Sequence, residues 1–165
     1  MQRIAGNKVA DVRPFFEAAA AVAKQATCRR ARCGTVIVKD GEVIGQGYNG
    51  PALDDEANRT CDNTYDLSIK PKYDKTCCIH AEWRAILDAY KRNAAKVDGS
   101  VLYFMRVDDE GNFTDAGKPY CTVCSRLALE AGVGTFALWN DGGADMYDTA
   151  DYDRKSYEFF ARHDV

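Results

Sequence analysis

Val12, Phe15, Phe16, Ala19, Ala23 and Ala26 recur at helical spacing, so one apolar stripe runs between polar positions. With Asp11 as N-cap and Pro14 in the first turn, where its missing N–H costs nothing, the pattern predicts a helix over 12–27. The run GTVIVKDGEVIGQGYNG has β-branched residues on both sides of Asp40 and Gly41, a dipeptide that tolerates positive φ, and predicts an antiparallel hairpin. Trp83, Ile86, Leu87 and Tyr90 follow the i, i+3, i+4, i+7 rule and predict a helix over 81–92 with that face on the sheet. VLYFM (101–105) and TFALW (135–139) read as strands buried on both faces. Between them lie a polar loop over 108–118 and a third helix, in which Cys124, Leu127, Ala128 and Ala131 share a stripe and Gly132 stands where a C-cap belongs.

Two stretches lack a clear period. Residues 51–78 are rich in Asp, Asn, Thr, Lys and Pro and read as a long insertion, a feature that is usually functional or mobile. The tail over 141–165 carries Asp141, Asp145, Asp148, Asp151 and Asp153, and its SYEFFARH segment reads as a short helix laid over the core by Tyr157, Phe159 and Phe160. The order α-β-β-α-β-α-β, with a strand, a crossover helix and a strand in its second half, requires a parallel pair joined by a right-handed connection. The expected fold is a three-layer α/β/α domain with a mixed central sheet, spanning 1–165 as a single unit.

Composition narrows the function more than the fold. At 46% hydrophobic and 28% charged the chain has an ordinary globular balance, and a net charge of −3 argues against a broad nucleic-acid surface. The most apolar run, FFEAAAAVAK, is too short and too interrupted to span a membrane, and the N-terminus has no signal-type apolar segment, so a cytoplasmic location is expected. Seven cysteines, an odd number, then point to metal binding or simple burial rather than to a disulfide framework.

Metal ligands stand at two predicted helix starts. His80, one of only two histidines, opens the second helix, and Cys121 and Cys124 open the third in the spacing C-x-x-C. Helix N-termini favour negative charge, so thiols placed there deprotonate readily, and thiolate is the form that zinc binds. Three protein ligands leave a fourth position for water, the arrangement of a catalytic rather than a structural zinc site. Glu82, two residues past the histidine, is placed to take and return a proton beside the metal without binding it.

These residues carry a resemblance. HAE at 80–82 and PYCTVC at 119–124 resemble the H-x-E…P-C-x-x-C signature of the zinc-dependent cytidine and deoxycytidylate deaminase superfamily. ATCRRARCGTVIVKDGEVIGQGYNG (26–50) looks like its deoxycytidylate branch, and the likeness covers roughly residues 26–139. In this chain Tyr120 intervenes between Pro119 and the first cysteine. After GYNG, the segment PALDDEANRT keeps only a displaced proline of the branch's usual pattern. Control by deoxynucleoside triphosphates therefore does not carry over.

The resemblance implies hydrolytic removal of the exocyclic amine of a cytosine, most simply conversion of dCMP to dUMP, with Glu82 as proton shuttle and Zn2+ as cofactor. It implies a small pyrimidine nucleotide as ligand, a nucleoside contact from Asn49, a pyrimidine carbonyl contact from the backbone N–H of Ala81, and a homo-oligomer. A substrate phosphate would meet Arg29, Arg30 and Arg32, or Lys70, Lys72 and Lys75. Some members of the branch hold a second, structural zinc, for which Cys28, Cys61 and one of Cys77 or Cys78 are candidates.

Rival readings stand beside these. YNGP is good turn chemistry for Asn49, the arginines suit a solvated helix end, and the remaining cysteines suit core packing. The substrate could be cytidine, guanine or a transfer-RNA adenosine, although the acidic balance disfavours the last. A non-catalytic zinc scaffold is the reading from another class. Glu82 weighs against it, because a structural site has no use for a proton shuttle.

Overall fold

The computed structural model describes residues 1–61 and 78–161. In chain order, β1 (Gln2–Ile4) leads through a 3-10 turn (Gly6–Asp11) into α1 (Arg13–Ala23), and the hairpin β2 (Arg32–Lys39) and β3 (Glu42–Tyr48) follows. Beyond two short 3-10 turns, Ala52–Asp54 and Glu56–Asn58, come α2 (Ala81–Asn93), β4 (Val101–Val107), β5 (Phe113–Thr114) and α3 (Thr122–Glu130). The chain closes with β6 (Thr135–Asn140), β7 (Gly143–Asp148) and α4 (Thr149–Ala161).

The sheet order is β1-β7-β6-β4-β2-β3, with β5 paired to β4. Only β4 and β6 run parallel, joined over the crossover helix α3, and all other pairs are antiparallel, so the sheet is mixed as expected. Alternation along the strands divides the core. Val36, Val38, Tyr103, Met105, Ala137 and Trp139 meet α1 on one face, while Ile37, Leu102, Phe104, Phe136 and Leu138 meet the other helices on the opposite face. This period of two is what a strand buried on both sides must show when helices cover both faces. Three layers result.

Several local expectations are corrected. Helix α1 ends at Ala23 rather than near residue 27, because Gln25 and Ala26 donate tight bonds to Val22 and Ala23, after which the Thr27 N–H pairs with the Asn49 carbonyl. Asp11 does not cap it: a 3-10 turn runs directly into the helix, and Val12 holds the cap position without a side-chain bond.

The apolar face of α2 is also shifted. Leu87 and Tyr90 are exposed at 54% and 46%, and the buried stripe is Ala81, Ala85, Ala89 and Ile86. Small residues win here because α2 lies almost on the backbone of β3. A Cβ on Gly45 would stand 2.5 Å from the Ala85 carbonyl oxygen, and one on Gly47 would stand 2.4 Å from the Ala85 nitrogen. Only glycine facing alanine permits that approach.

The tail is more regular than its composition suggests. Asp141 and Gly142, both at positive φ like Asp40 and Gly41, turn β6 into the antiparallel β7. The helix after it begins at Thr149, where Asp148 Oδ1 accepts from the Ala150 and Asp151 N–H groups as an N-cap. Tyr152, not the exposed Tyr157, is the aromatic that fixes α4 to the core, stacked on Phe136 at 3.8 Å. The side chains of Phe159 and Phe160 lie outside the described residues. No helix of the described residues is long and apolar enough to cross a membrane.

Candidate metal centre

Helices α2 and α3 both begin at the carboxyl end of β4, since α2 leads back to the start of that strand and α3 crosses from its far end to β6. Ahead of α2, Ile79 forms a two-bond bridge with Gly50, its N–H donating to the Gly50 carbonyl at 2.8 Å. This tether extends the end of β3 and sets the entry of the helix. His80 occupies the N-cap in extended conformation and makes no side-chain cap bond, so its ring is free to face the neighbouring helix. Cys121 occupies the N-cap of α3, and its sulfur accepts from the Cys124 N–H at 3.4 Å.

Three donor atoms converge there. His80 Nδ1 lies 3.1 Å from Cys124 Sγ and 3.5 Å from Cys121 Sγ, and the two sulfurs are 3.0 Å apart. Among the described residues, this is the only group of three ligand-type side chains close enough to share an ion. The imidazole is steadied by Trp83, which stacks on it at 5.0 Å.

The electrostatics suit a soft cation. Hydrogen bonds from Cys124 and then His80 push the Cys121 thiol down to about 4, and the same Cys121 bond raises the His80 imidazole. Burial instead raises the Cys124 thiol. A divalent ion bound there would displace protons from these donors, and the lowered Cys121 thiol gives its proton up most readily. One imidazole nitrogen and two sulfurs, at the positive ends of two helices, fit zinc.

Glu82 lies in the first turn of α2, 7% exposed. Burial raises its carboxyl, against the pull of the His80 charge. A carboxyl raised in this way is a better proton acceptor than an exposed one.

The structure also brings in residues that the sequence reading passed over. Burial, and next the Glu82 charge, push the Cys33 thiol and the Tyr120 phenol up to about 12 each. The buried Tyr152 phenol is raised by the same two causes. Strand β2, the turn before α3 and helix α4 therefore each carry a group that feels the Glu82 charge. The residue interposed after Pro119 was the one visible signal, since it moves an aromatic to the edge of the first cysteine.

The remaining candidates are placed as follows. Asn49 is buried, its Oδ1 accepting from the Cys33 N–H at 2.8 Å and its Nδ2 donating to the Ala31 carbonyl at 2.9 Å. It therefore splints residues 31–33 to the end of β3, and one Nδ2 hydrogen stays outside these two bonds. Ala81 is buried as the first residue of α2, where a backbone N–H has no acceptor within the helix. Arg29 and Arg30 are exposed, and Arg32 stands 3.7 Å from Asp109. Cys28 is half-buried, Cys61 exposed and Cys78 buried, with no second ligand cluster among the described residues. Cys77, Lys70, Lys72 and Lys75 lie outside them.

A groove of about 620 Å³ lies elsewhere, bordered by Gln46, Tyr48, Leu53, Arg84 and Leu87 on the outer side of β3 and α2. It holds none of the donor atoms, and Arg84 with Asp54 and Arg92 with Asp88 form ion pairs along it.

Comparison with known proteins identifies a family. A family model described as the cytidine and deoxycytidylate deaminase zinc-binding region matches residues 10–139. The chain is similar to the deoxycytidylate deaminase of Mycobacterium phage D29, 28% identical over 125 residues, which are 72% of this chain and 86% of the phage protein. It is 35% identical over 92 residues to the deoxycytidylate deaminase of Schizosaccharomyces pombe, covering 54% of this chain but only 28% of that protein's length. Among solved structures, a cytidine deaminase from Burkholderia pseudomallei superposes with a TM-score of 0.55 at 20% identity, over 85% of this chain and 94% of that one. At that identity the likeness concerns the fold.

Proposed function

Because the chain belongs to the cytidine and deoxycytidylate deaminase zinc-binding family, we propose that it is a zinc-dependent hydrolase that converts dCMP and water to dUMP and ammonia. The observation that carries this reading is the convergence of His80, Cys121 and Cys124 from two helix starts, with the buried Glu82 one residue into α2. His80, Cys121 and Cys124 would hold the ion. Zinc supplies Lewis acidity there, making water a competent nucleophile near neutral pH.

Glu82 takes one proton from the attacking water and gives it to the ring nitrogen beside the amine-bearing carbon, then takes the second from the newly added hydroxyl as the carbonyl forms and gives it to the amine, which leaves as ammonia. Its burial suits both halves of that cycle, since a raised carboxyl gives and accepts protons over the same range. In this reading the Ala81 N–H meets the pyrimidine carbonyl, as the buried start of α2 allows, and Asn49 supports the neighbouring wall through its hold on residues 31 and 33.

A nucleotide is favoured over a nucleoside by two considerations. The two relatives described above bear the name deoxycytidylate deaminase, and one of them is matched over most of its length. Arg29, Arg30 and Arg32 lie in the segment that Asn49 ties to the end of β3 through residues 31 and 33, and in this proposal they take the phosphate. Guanidinium groups suit bidentate contact with a phosphate.

The test is ammonia release from a panel of dCMP, CMP, deoxycytidine, cytidine, guanine and transfer RNA. Preference for dCMP by kcat/KM is the expected result. Equal or better turnover of deoxycytidine would remove the phosphate from the proposal, and activity confined to a non-pyrimidine would overturn it.

A further inference from the structure

Helix α3 carries both cysteines in its opening turn, yet its next residue, Ser125, points away from them into a wholly buried polar contact with α4. Ser125 Oγ stands 2.6 Å from Asp153 Oδ1 and 3.1 Å from Ser156 Oγ, and Ser156 Oγ is 2.7 Å from the Asp153 carbonyl. Ser125 and Ser156 are 0% exposed and Asp153 is 7% exposed. The other Asp153 oxygen lies 3.3 Å from Arg126 Nε, and the Arg126 guanidinium covers the Tyr157 ring at 5.0 Å. Asp153, Ser156 and Tyr157 thus form one i, i+3, i+4 stripe that grips Ser125 and Arg126, the two residues directly after Cys124.

A serine hydroxyl has one proton, and three acceptors compete for it: the Thr122 carbonyl at 3.0 Å in its own turn, Ser156 Oγ at 3.1 Å, and the carboxylate at 2.6 Å. The shorter, charge-assisted bond prevails. The serine is therefore bonded across to α4 rather than back into its own helix. A polar cluster is a costly way to join two helices that could meet through apolar residues, unless the direction of the bond matters. Here that bond fixes the rotation of the turn whose backbone sets both sulfurs.

The geometry points to Asp153 as a positioning residue for the metal site: acting through Ser125, it holds the first turn of α3 so that Cys121 and Cys124 face His80 together. Asp153 lies outside residues 10–139, the span matched by the family model, so this chain supplies the clamp from its own C-terminal helix. The inference rests on the reading of the three side chains as zinc ligands.

Zinc affinity of the purified full chain, measured by competition with a chromophoric chelator, tests it without any substrate. Ser125→Ala and Asp153→Ala should each weaken zinc binding by about tenfold, the scale of lost outer-shell support. The double variant should be no weaker than either single one, because both remove the same bond. Asp153→Asn, which keeps an acceptor for the hydroxyl, should restore affinity to near wild type. Ser125→Ala deletes a single oxygen, so it carries the test if Asp153→Ala folds poorly. Wild-type affinity in Ser125→Ala, even with a lowered Tm, would reduce the cluster to a fold contact and overturn the inference, as would losses that multiply in the double variant. Cys124→Ala separates the premises: unchanged zinc binding in it would overturn the ligand reading, whereas its loss beside an unaffected Ser125→Ala would overturn the clamp alone.

Discussion

At the scale of single residues, the division of labour at the site rests on Glu82, which is close to the ligands and buried, yet outside the set of three donor atoms. Glu82→Gln keeps its volume and removes its proton exchange. The variant should retain zinc measured by metal analysis, while kcat falls by about 10²–10⁴-fold, the usual contribution of a positioned acid–base group. A variant with undiminished turnover would sink the shuttle role. His80, Glu82, Cys121 and Cys124 were legible in the sequence because each pair is local, set by spacings of two and three residues at a helix start. Cys33 and Tyr152 were not, since their electrostatic coupling to Glu82 depends on β2 pairing with β4 and on the tail folding back over the sheet. Asn49 lay between these cases: its local sequence allowed both a turn and a contact role, and only the hairpin shows its amide bonded to residues 31 and 33.

At the scale of elements, α2 shows how a helix can be found correctly and still be turned wrongly. Trp83, Leu87 and Tyr90 dominate any count of hydrophobicity, but the face that matters is the alanine stripe pressed on β3. The informative signal was on the strand: glycines at 45 and 47, two residues apart and so on one face, leave room for a helix backbone rather than for side chains. Gly47→Ala tests this. Its new Cβ would meet the Ala81 carbonyl oxygen at 2.5 Å and the Ala85 nitrogen at 2.4 Å, and backbone on both sides cannot step aside as a side chain could. Overpacking of this kind costs about 1–3 kcal/mol, which at this size lowers Tm by roughly 2–12 °C. Because Ala81 follows His80 directly, zinc affinity should fall in the same variant. A Tm equal to wild type would mean that α2 does not sit as close as described.

At the scale of the whole molecule, the mixed sheet follows from the order of elements, but its far edge does not. The aspartates after Asn140 read as a polar tail because charge hides alternation, and one of them is accounted for only by neighbouring strands. Asp145 on β7 is held by Arg3 of β1 at 2.9 Å and by Asn140 of β6 at 2.8 Å, so the two ends of the chain close one edge together. The Asp141–Gly142 turn and the Asp148 cap were both readable by the rules that found the first hairpin. What could not be read was the seat of α4, which depends on Tyr152 lying on Phe136 at 3.8 Å and against Tyr147 at 5.6 Å. If this stack holds α4, then Tyr152→Phe, which keeps both ring contacts, should unfold within a few degrees of wild type. Tyr152→Ala, which empties a buried aromatic site, should lose about 3–5 kcal/mol. Thermal denaturation of the two variants decides the matter: a Phe variant as unstable as the Ala variant would place the anchoring in the hydroxyl, and an Ala variant as stable as wild type would leave α4 held by its polar stripe alone.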